Sequence, residues 1–223
     1  MMVILILIDE HFKPAGIIQL KRGSMASIHL CEPFDNPTYD SRLNWYNPPQ
    51  RWSVHDSWLQ VEPGTKTDYW QQPHLGAQSD NGPFLYCEVQ GDFILSAQVR
   101  MRPATQYDQA GLMVRLSPSC WLKTSVEFET GIPSKLGAVV TNHGYSDWST
   151  QDYLGSSYDF TLRVRREGFD YTVDYSPDGA YWSQIRFAHL LEDDGAHPLK
   201  CGLYACSPIA AGFMAEFGFL KIE

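Results

Sequence analysis

The chain has 223 residues, of which 43% are hydrophobic and 13% aromatic, enough for a sizeable core and too many for a disordered, coiled-coil or fibrous protein. No apolar run approaches the roughly 18 residues that a membrane-spanning helix needs. The 17 basic and 26 acidic residues give a net charge of −9, which argues against binding to nucleic acid or to anionic membranes.

The N-terminal residues differ in their residue pattern from the rest of the chain. Residues 3–8 form a short apolar run that Asp9 and Glu10 follow at once, without a basic region before it, so we do not expect a cleavable signal. We interpret residues 1–24 as an N-terminal extension outside the core fold, with an extra β-strand as the alternative, because the run is rich in β-branched Ile. Residues 25–223 are predicted to form a single domain.

Strand patterns dominate from about residue 51 onwards. In residues 93–102 the apolar side chains fall on one face, as in a half-buried strand: Phe93, Leu95, Ala97, Val99 and Met101. The same alternation recurs in residues 110–116, 122–129, 160–165 and 169–175. Because these short runs are separated by turn residues and helical periodicity is nearly absent, the sequence predicts an all-β sandwich or barrel.

The cysteine and histidine patterns bear on compartment and metal binding. Five cysteines, an odd number without a CxxC pair, favour reduced thiols in the cytosol over a disulfide framework. Cys201 and Cys206 are five positions apart, so on one strand they would face opposite sides. Thiolates and imidazoles do not cluster, and we predict no metal and no cofactor. The acidic cluster of residues 192–194 is interpreted as a solvated loop, with calcium binding as the alternative.

Several stretches together resemble one family: 43–45, 67–70, 107–115, 140–149 and 202–208. This is the small concanavalin A-like domain-of-unknown-function family that includes the fungal regulation-of-enolase protein. The similarity covers roughly residues 34–222. It implies a jelly-roll β-sandwich of two antiparallel sheets, one of them concave, in a cytoplasmic protein linked to sugar metabolism, without established catalytic residues.

The strand at residues 121–129 is the first candidate site. By parity one side of it carries Trp121, Lys123, Glu127 and Glu129. A carboxylate accepts hydrogen bonds from hydroxyl groups and an indole covers the apolar face of a pyranose, so this pattern suits sugar recognition. The alternating acids expected of a concanavalin-like glycosidase are incomplete, because Gly131 follows. The alternative is a solvent-facing strand with a surface Lys123–Glu127 ion pair.

Two further candidates lie outside that strand. One is the stretch Tyr107-Asp108-Gln109 ahead of an alternating strand, in which Asp108 could bind a ligand hydroxyl or cap a turn. The stretch from Asn142 to Trp148 places polar side chains beside aromatic ones, which suits either carbohydrate contact or a Gly-containing hairpin whose Trp148 covers the edge of the core.

We therefore predict that one ligand site is lined by Trp70, Asp108, Lys123, Glu127, Asn142 and Trp148. The two tryptophans would stack on the ligand. The two acids would accept hydrogen bonds from its hydroxyl groups, and Lys123 and Asn142 would donate hydrogen bonds to them. The predicted function is that of a cytosolic, non-catalytic binding or regulatory protein, whose ligand is a carbohydrate or sugar-like metabolite. The alternatives are a regulator that binds a glycolytic enzyme such as enolase, and a divergent glycoside hydrolase or lyase.

Overall fold

The computed structural model describes residues 29–72, 76 and 78–223, so the predicted extension of residues 1–24 lies outside the described residues. The described part contains 17 strands and no helix, and therefore no helix long and apolar enough to cross a membrane. The strands are β1 (Leu30–Glu32), β2 (Asn44–Tyr46), β3 (Arg51–His55), β4 (Trp58–Glu62), β5 (Tyr69–Trp70), β6 (Ser79–Asp80), β7 (Phe84–Val89), β8 (Phe93–Arg102), β9 (Gln109–Ser117), β10 (Cys120–Glu127), β11 (Lys135–Asn142), β12 (Tyr145–Asp152), β13 (Asp159–Glu167), β14 (Asp170–Ser176), β15 (Ser183–His189), β16 (Leu199–Cys206) and β17 (Met214–Ile222).

Two large antiparallel sheets face each other. Within the described residues, the eight-stranded sheet has the order β15-β14-β13-β8-β17-β4-β3, and β1 pairs with β17 beside this path. The seven-stranded sheet has the order β12-β11-β10-β9-β16-β7-β2, and β5 and β6 form a separate pair. The jelly-roll β-sandwich predicted from the sequence is thereby confirmed.

The core lies between the two sheets, where the alternating apolar residues meet. In β8 the five apolar residues predicted for one face are each at most 4% exposed. Val99 pairs with Phe160 of β13 and with Phe217 of β17, so one apolar row crosses three strands. Phe169, predicted for the buried face of its strand, lies instead in the turn that precedes β14 and is 54% exposed.

The outer face of the seven-stranded sheet, which is turned away from the core, is also partly buried. A second apolar cluster forms there, around Met113, Trp121 and Tyr204. It is covered by the chain before and after the β5–β6 pair, which we call the covering segment (the described residues of 64–83). Because this face has its own cluster, Cys206 packs in it while Cys201 packs in the main core, as their odd spacing predicts.

Gly82 lets the covering segment approach the sheet closely. A Cβ atom at this position would lie 2.5 Å from Cys206 Sγ and 2.8 Å from Tyr69 Cε2, too close for any residue with a side chain. The Tyr69 hydroxyl donates a hydrogen bond to the Gly82 carbonyl, which fixes this aromatic ring beneath the segment. The ring packs edge to face against Tyr204, with centroids 6.2 Å apart and ring planes at 79°.

The acidic cluster of residues 192–194 is less solvated than the sequence predicted. Asp193 is buried and binds Arg166 through two hydrogen bonds of 2.8 and 2.9 Å. Glu192 accepts hydrogen bonds from Ser117 and Ser119. The carboxylates of Glu192 and Asp193 therefore join the loop to the sandwich, whereas Asp194 is exposed and accepts hydrogen bonds from Ala196 and His197 of the same loop.

Candidate functional site

A cavity of about 280 Å³ opens on the outer face of the seven-stranded sheet, beside the covering segment. We call it the Trp70–Trp148 cavity. Its polar lining residues are Asp68, Gln109, Lys123 and Glu127, and its apolar and aromatic ones are Trp70, Tyr107, Val139, Trp148 and Pro208. Four of the six residues predicted to form one site are thus brought together: Trp70, Lys123, Glu127 and Trp148.

Strand register sets up one side of the cavity. Val139 of β11 pairs with Lys123 of β10 on one side and with Trp148 of β12 on the other. Side chains at paired positions point to the same face of a sheet, so these three form a row across the outer face. The two-residue turn that precedes β12 fixes this register, since His143 and Gly144 both have positive φ, 50° and 77°, as a tight hairpin turn requires.

The two tryptophans meet at the rim of the cavity. The centroids of Trp70 and Trp148 are 6.4 Å apart and their ring planes are at 89°. The covering segment holds Trp70 there because the next residue, Gln71, is tied to β12: its N–H donates to Ser146 Oγ at 2.9 Å, and its carbonyl accepts from the Ser146 N–H at 3.0 Å. The cavity therefore has two perpendicular aromatic walls from distant parts of the chain.

A continuous hydrogen-bonded chain links the polar side chains of the cavity. Lys123 Nζ donates to Asp68 Oδ1 at 3.1 Å and to Gln109 Oε1 at 3.0 Å. Gln109 Nε2 donates in turn to Glu127 Oε2 at 2.9 Å. The Lys123 side chain is only 4% exposed, so the alternative of a solvent-facing strand with a surface Lys123–Glu127 ion pair is wrong. The covering segment buries this side of β10 and supplies Asp68 as the partner of the lysine.

Glu127 is the group of the cavity whose protonation changes near neutral pH. Burial raises its pKa from the ordinary 4.5 to about 7. The positive charge of Lys123 acts in the opposite direction, whereas the negative charges of Asp68 and Glu129 add to the increase in the pKa. Near pH 7 the carboxyl group therefore accepts hydrogen bonds in its charged form and can also donate one in its neutral form.

Tyr107 forms a further wall and has an unusual backbone. Its φ is +72°, a conformation that costs energy for a residue with a side chain, and its side chain is 38% exposed. The Tyr107 N–H donates to the carbonyl of Phe128 at 2.7 Å, which ties the residue to the chain after β10. Strain of this kind concentrates at binding sites, because the surrounding structure must be built to hold it.

Asp108 does not line the cavity, contrary to the prediction. Its carboxylate accepts hydrogen bonds from the N–H groups of Ala104 and Thr105, both at 2.7 Å, and from Ser207 Oγ at 2.6 Å. The side chain is fully buried, and its role is to fix the turn, which was the alternative interpretation of this residue. Its neighbours Tyr107 and Gln109 line the cavity instead.

Asn142 also lies elsewhere. Its Nδ2 donates to the carbonyl of His189 at 3.0 Å, and its Oδ1 accepts from the N–H of Leu191 at 2.8 Å. The side chain therefore ties the end of β11 to the chain after β15. Trp121 and Glu129, the remaining members of the predicted strand face, are outside the cavity too: Trp121 is buried in the second apolar cluster and Glu129 accepts from Gln106 at 2.7 Å.

Asp68 and Gln109 are the polar cavity residues that were not among the six predicted to line the site. Both lie in stretches that carry the family resemblance, 67–70 and 107–115. Within these two stretches, however, the residues predicted to line the site were Trp70 and Asp108. Among the described residues, His, Cys, Asp and Glu side chains form no group of three that could hold a metal ion. The cavity itself pairs its Asp68 carboxylate with the Lys123 ammonium.

Two comparisons with known proteins place this geometry in context. The chain is 35% identical over 177 residues, 79% of its length, to "Regulation of enolase protein 1" of Saccharomyces cerevisiae, and covers 87% of that protein. It also resembles a crystal structure described as a functionally unknown protein from Saccharomyces cerevisiae, with a TM-score of 0.75 and 32% identity over 82% of this chain and 96% of that one.

More distant structures share the fold alone. A xylan beta-1,4-xylosidase from Bacillus halodurans superposes with a TM-score of 0.69 at 14% identity, over 86% of this chain and 38% of that chain.

The model of the family described as "Protein of unknown function (DUF1349)" matches residues 45–223. Because this match and the 35% identical relative each span most of the sequence, the chain belongs to that family.

Proposed function

We propose that the Trp70–Trp148 cavity binds an uncharged sugar or a sugar-like polyol, and that the protein acts as a binding or regulatory protein without catalysis. The observation that carries this proposal is the pair of perpendicular indoles beside the chain of hydrogen bonds from Asp68 to Glu127. Sugars present apolar C–H faces and a rim of hydroxyl groups. Aromatic walls match the faces, and alternating donors and acceptors match the rim.

The volume and charge of the cavity narrow the ligand class. At about 280 Å³ the cavity lies just below the range of roughly 300–1,000 Å³ that is typical of small-molecule sites, which suits one sugar residue. The Lys123 ammonium is already paired with Asp68, and Glu127 adds negative charge above its pKa of about 7. A sugar phosphate would therefore meet no unpaired cation, and we expect it to bind more weakly than the neutral sugar.

A thermal-shift screen of the purified protein tests this proposal. Neutral mono- and oligosaccharides are compared with their phosphorylated forms, and binding at 100 times the dissociation constant should stabilise the protein by about 2.7 kcal/mol. Trp148→Ala should abolish the shift. Trp52→Ala is the matched control, because Trp52 has a similar exposed fraction, 40% against 42%, and does not line the cavity. A panel without any shift by a neutral sugar would refute the proposal.

A second candidate function is regulation through contact with a glycolytic enzyme such as enolase, which the name of the yeast relative suggests. A patch of exposed apolar side chains favours it: Phe169 is 54%, Phe187 53% and Leu191 64% exposed. His189 links Phe169 and Phe187, because its ring contacts that of Phe187 and its Nδ1 lies 3.1 Å from the carbonyl oxygen of Phe169. Grouped apolar exposure of this kind marks protein interfaces. Binding of purified enolase that Phe187→Ser abolishes would support this function, and undiminished binding would contradict it.

We further propose that the protein is cytosolic and that residues 25–223 form one domain. All five cysteines are described and all are free thiols, which suits a reducing compartment. The family match begins at residue 45 and the first described strand at Leu30, beyond the proposed extension. A chain that starts at Met25 should unfold at the same temperature as the full chain, and a clearly lower unfolding temperature would place residues 1–24 within the fold.

A further inference from the structure

The eight-stranded sheet carries an open groove of about 500 Å³ on the face turned away from the core. We call it the Trp182 groove. It lies on the opposite side of the sandwich from the Trp70–Trp148 cavity. The residues that matter for its chemistry are Ser96, Gln98, Asp159, Thr161, Trp182 and Phe219.

Strand register and one bulge assemble this groove. Gln98 of β8 pairs with Thr161 of β13 and with Phe219 of β17, so these three form a row across the outer face. A bulge at Gly218 shifts the register of β17 between Phe217 and Phe219. As a result Phe217 is buried in the core, at 1% exposure, while Phe219 lines the groove on the other face.

Two ion pairs neutralise charged groups around the groove, whereas Asp178, which also lines it, keeps a negative charge and accepts hydrogen bonds from the N–H groups of Ala180 and Tyr181. Asp159 accepts from Gln98 at 3.0 Å and from Arg100 at 2.8 Å. Arg163 pairs with Asp174 at 2.9 Å, and its guanidinium lies 4.1 Å from the centre of the Trp182 ring. The guanidinium thus occupies one face of the indole and holds the ring in place beside the groove. Between these pairs the floor is formed by neutral hydroxyl and amide groups.

From this arrangement we infer that the Trp182 groove is a second ligand site, which binds a segment of a neutral oligosaccharide independently of the Trp70–Trp148 cavity. Aromatic side chains, Trp182 and Phe219, border a floor of Ser96, Gln98 and Thr161 that can donate and accept hydrogen bonds. An anionic chain would meet no cation among the lining residues and would face the carboxylates of Asp159 and Asp178. The groove is larger than the cavity, about 500 against 280 Å³, so it suits several linked sugar residues rather than a single one.

Affinity electrophoresis in native gels that contain soluble starch, hydroxyethyl cellulose or soluble xylan tests this inference. The wild-type protein should be retarded by at least one of these neutral polymers. Trp182→Ala should weaken the retardation roughly tenfold or more, as the loss of a central aromatic contact does. Tyr181→Ala is the matched control, because Tyr181 is adjacent and 79% exposed but does not line the groove.

Two more variants keep the test decisive. If Trp182→Ala fails to fold, Ser96→Glu replaces it, since the longer side chain obstructs the groove without removing packed atoms. Trp148→Ala alters only the other site and should be retarded like the wild type. Retardation that Trp148→Ala abolishes and Trp182→Ala leaves unchanged would overturn the second site while supporting the proposed function. Absence of retardation by all three polymers would overturn it as well, whatever the cavity binds in the thermal-shift screen.

Discussion

The substitution Glu127→Gln tests whether the buried carboxyl of the Trp70–Trp148 cavity lowers the stability of the protein as the pH rises. In the folded state the pKa of Glu127 is about 7, against an ordinary value of 4.5. The folded protein therefore keeps a proton on this group at pH values where the unfolded chain has released it. Because the folded state binds more protons, the free energy of unfolding falls between about pH 4.5 and pH 7 and stays lower above that range.

The size of the effect follows from the same two values. At about 1.4 kcal/mol per pKa unit, the difference between 4.5 and about 7 amounts to roughly 3 kcal/mol at pH 8. Glutamine has the shape of the neutral acid and still accepts the hydrogen bond from Gln109, so the variant should lose only the penalty of burying the charge. We expect equal stability of the two proteins at pH 4.5, and a more stable variant at pH 8 by up to about 3 kcal/mol.

Urea unfolding followed by tryptophan fluorescence at several pH values measures this difference directly. The control is Glu88→Gln, which neutralises an exposed carboxyl that neither lines the cavity nor is among the charges that shift the pKa of Glu127. Parallel pH profiles of wild type and Glu127→Gln would refute the reasoning, because the carboxyl would then bear no cost of burial. So would a variant that is less stable than the wild type at pH 8.

Three further predictions concern residues that shape the site or hold the fold. Tyr107→Gly should relieve the positive φ and raise the free energy of unfolding by about 1 kcal/mol while weakening sugar binding, as urea unfolding and calorimetric titration would reveal. Asp108→Asn should lower the free energy of unfolding by about 1–3 kcal/mol, because it weakens the hydrogen bonds from the N–H groups of Ala104 and Thr105. It should leave the sugar affinity, measured by titration of the folded protein, unchanged. Arg166→Met should cost about 3–5 kcal/mol in chemical unfolding because it leaves Asp193 buried without its cation, and a loss below 1 kcal/mol would contradict that pairing.

Local patterns were sufficient for the sandwich and for part of the site. The alternation in β8 and β13 identified the core faces, because each residue's neighbours two positions away share its face. The same parity put Lys123 and Glu127 on one side of β10, where the structure has them. Parity also predicted that Cys201 and Cys206 face opposite sides.

What parity could not supply is the covering segment. Lys123 was compatible with a solvated strand face, and only a distant part of the chain, Asp68 with its neighbours, makes it a buried cation. No local pattern signals that one stretch folds over another sheet. The prediction that Asp108 lines the site was wrong for a related reason. An aspartate just before a strand can bind a ligand or accept hydrogen bonds from the backbone of its own turn, and sequence does not distinguish the two. Here the N–H groups of Ala104 and Thr105 are its partners.

The attachment of the covering segment has a consequence for folding kinetics. Gln71 and Ser146 are 75 residues apart in the chain, and Thr67 and Ser207, which also hold the segment, are 140 apart. Contacts of such sequence separation form late, since the intervening chain must be ordered first. Contacts that are absent from the folding transition state affect the unfolding rate rather than the folding rate. A ligand in the cavity should therefore lower the unfolding rate and leave the folding rate unchanged, so that the native state persists for longer.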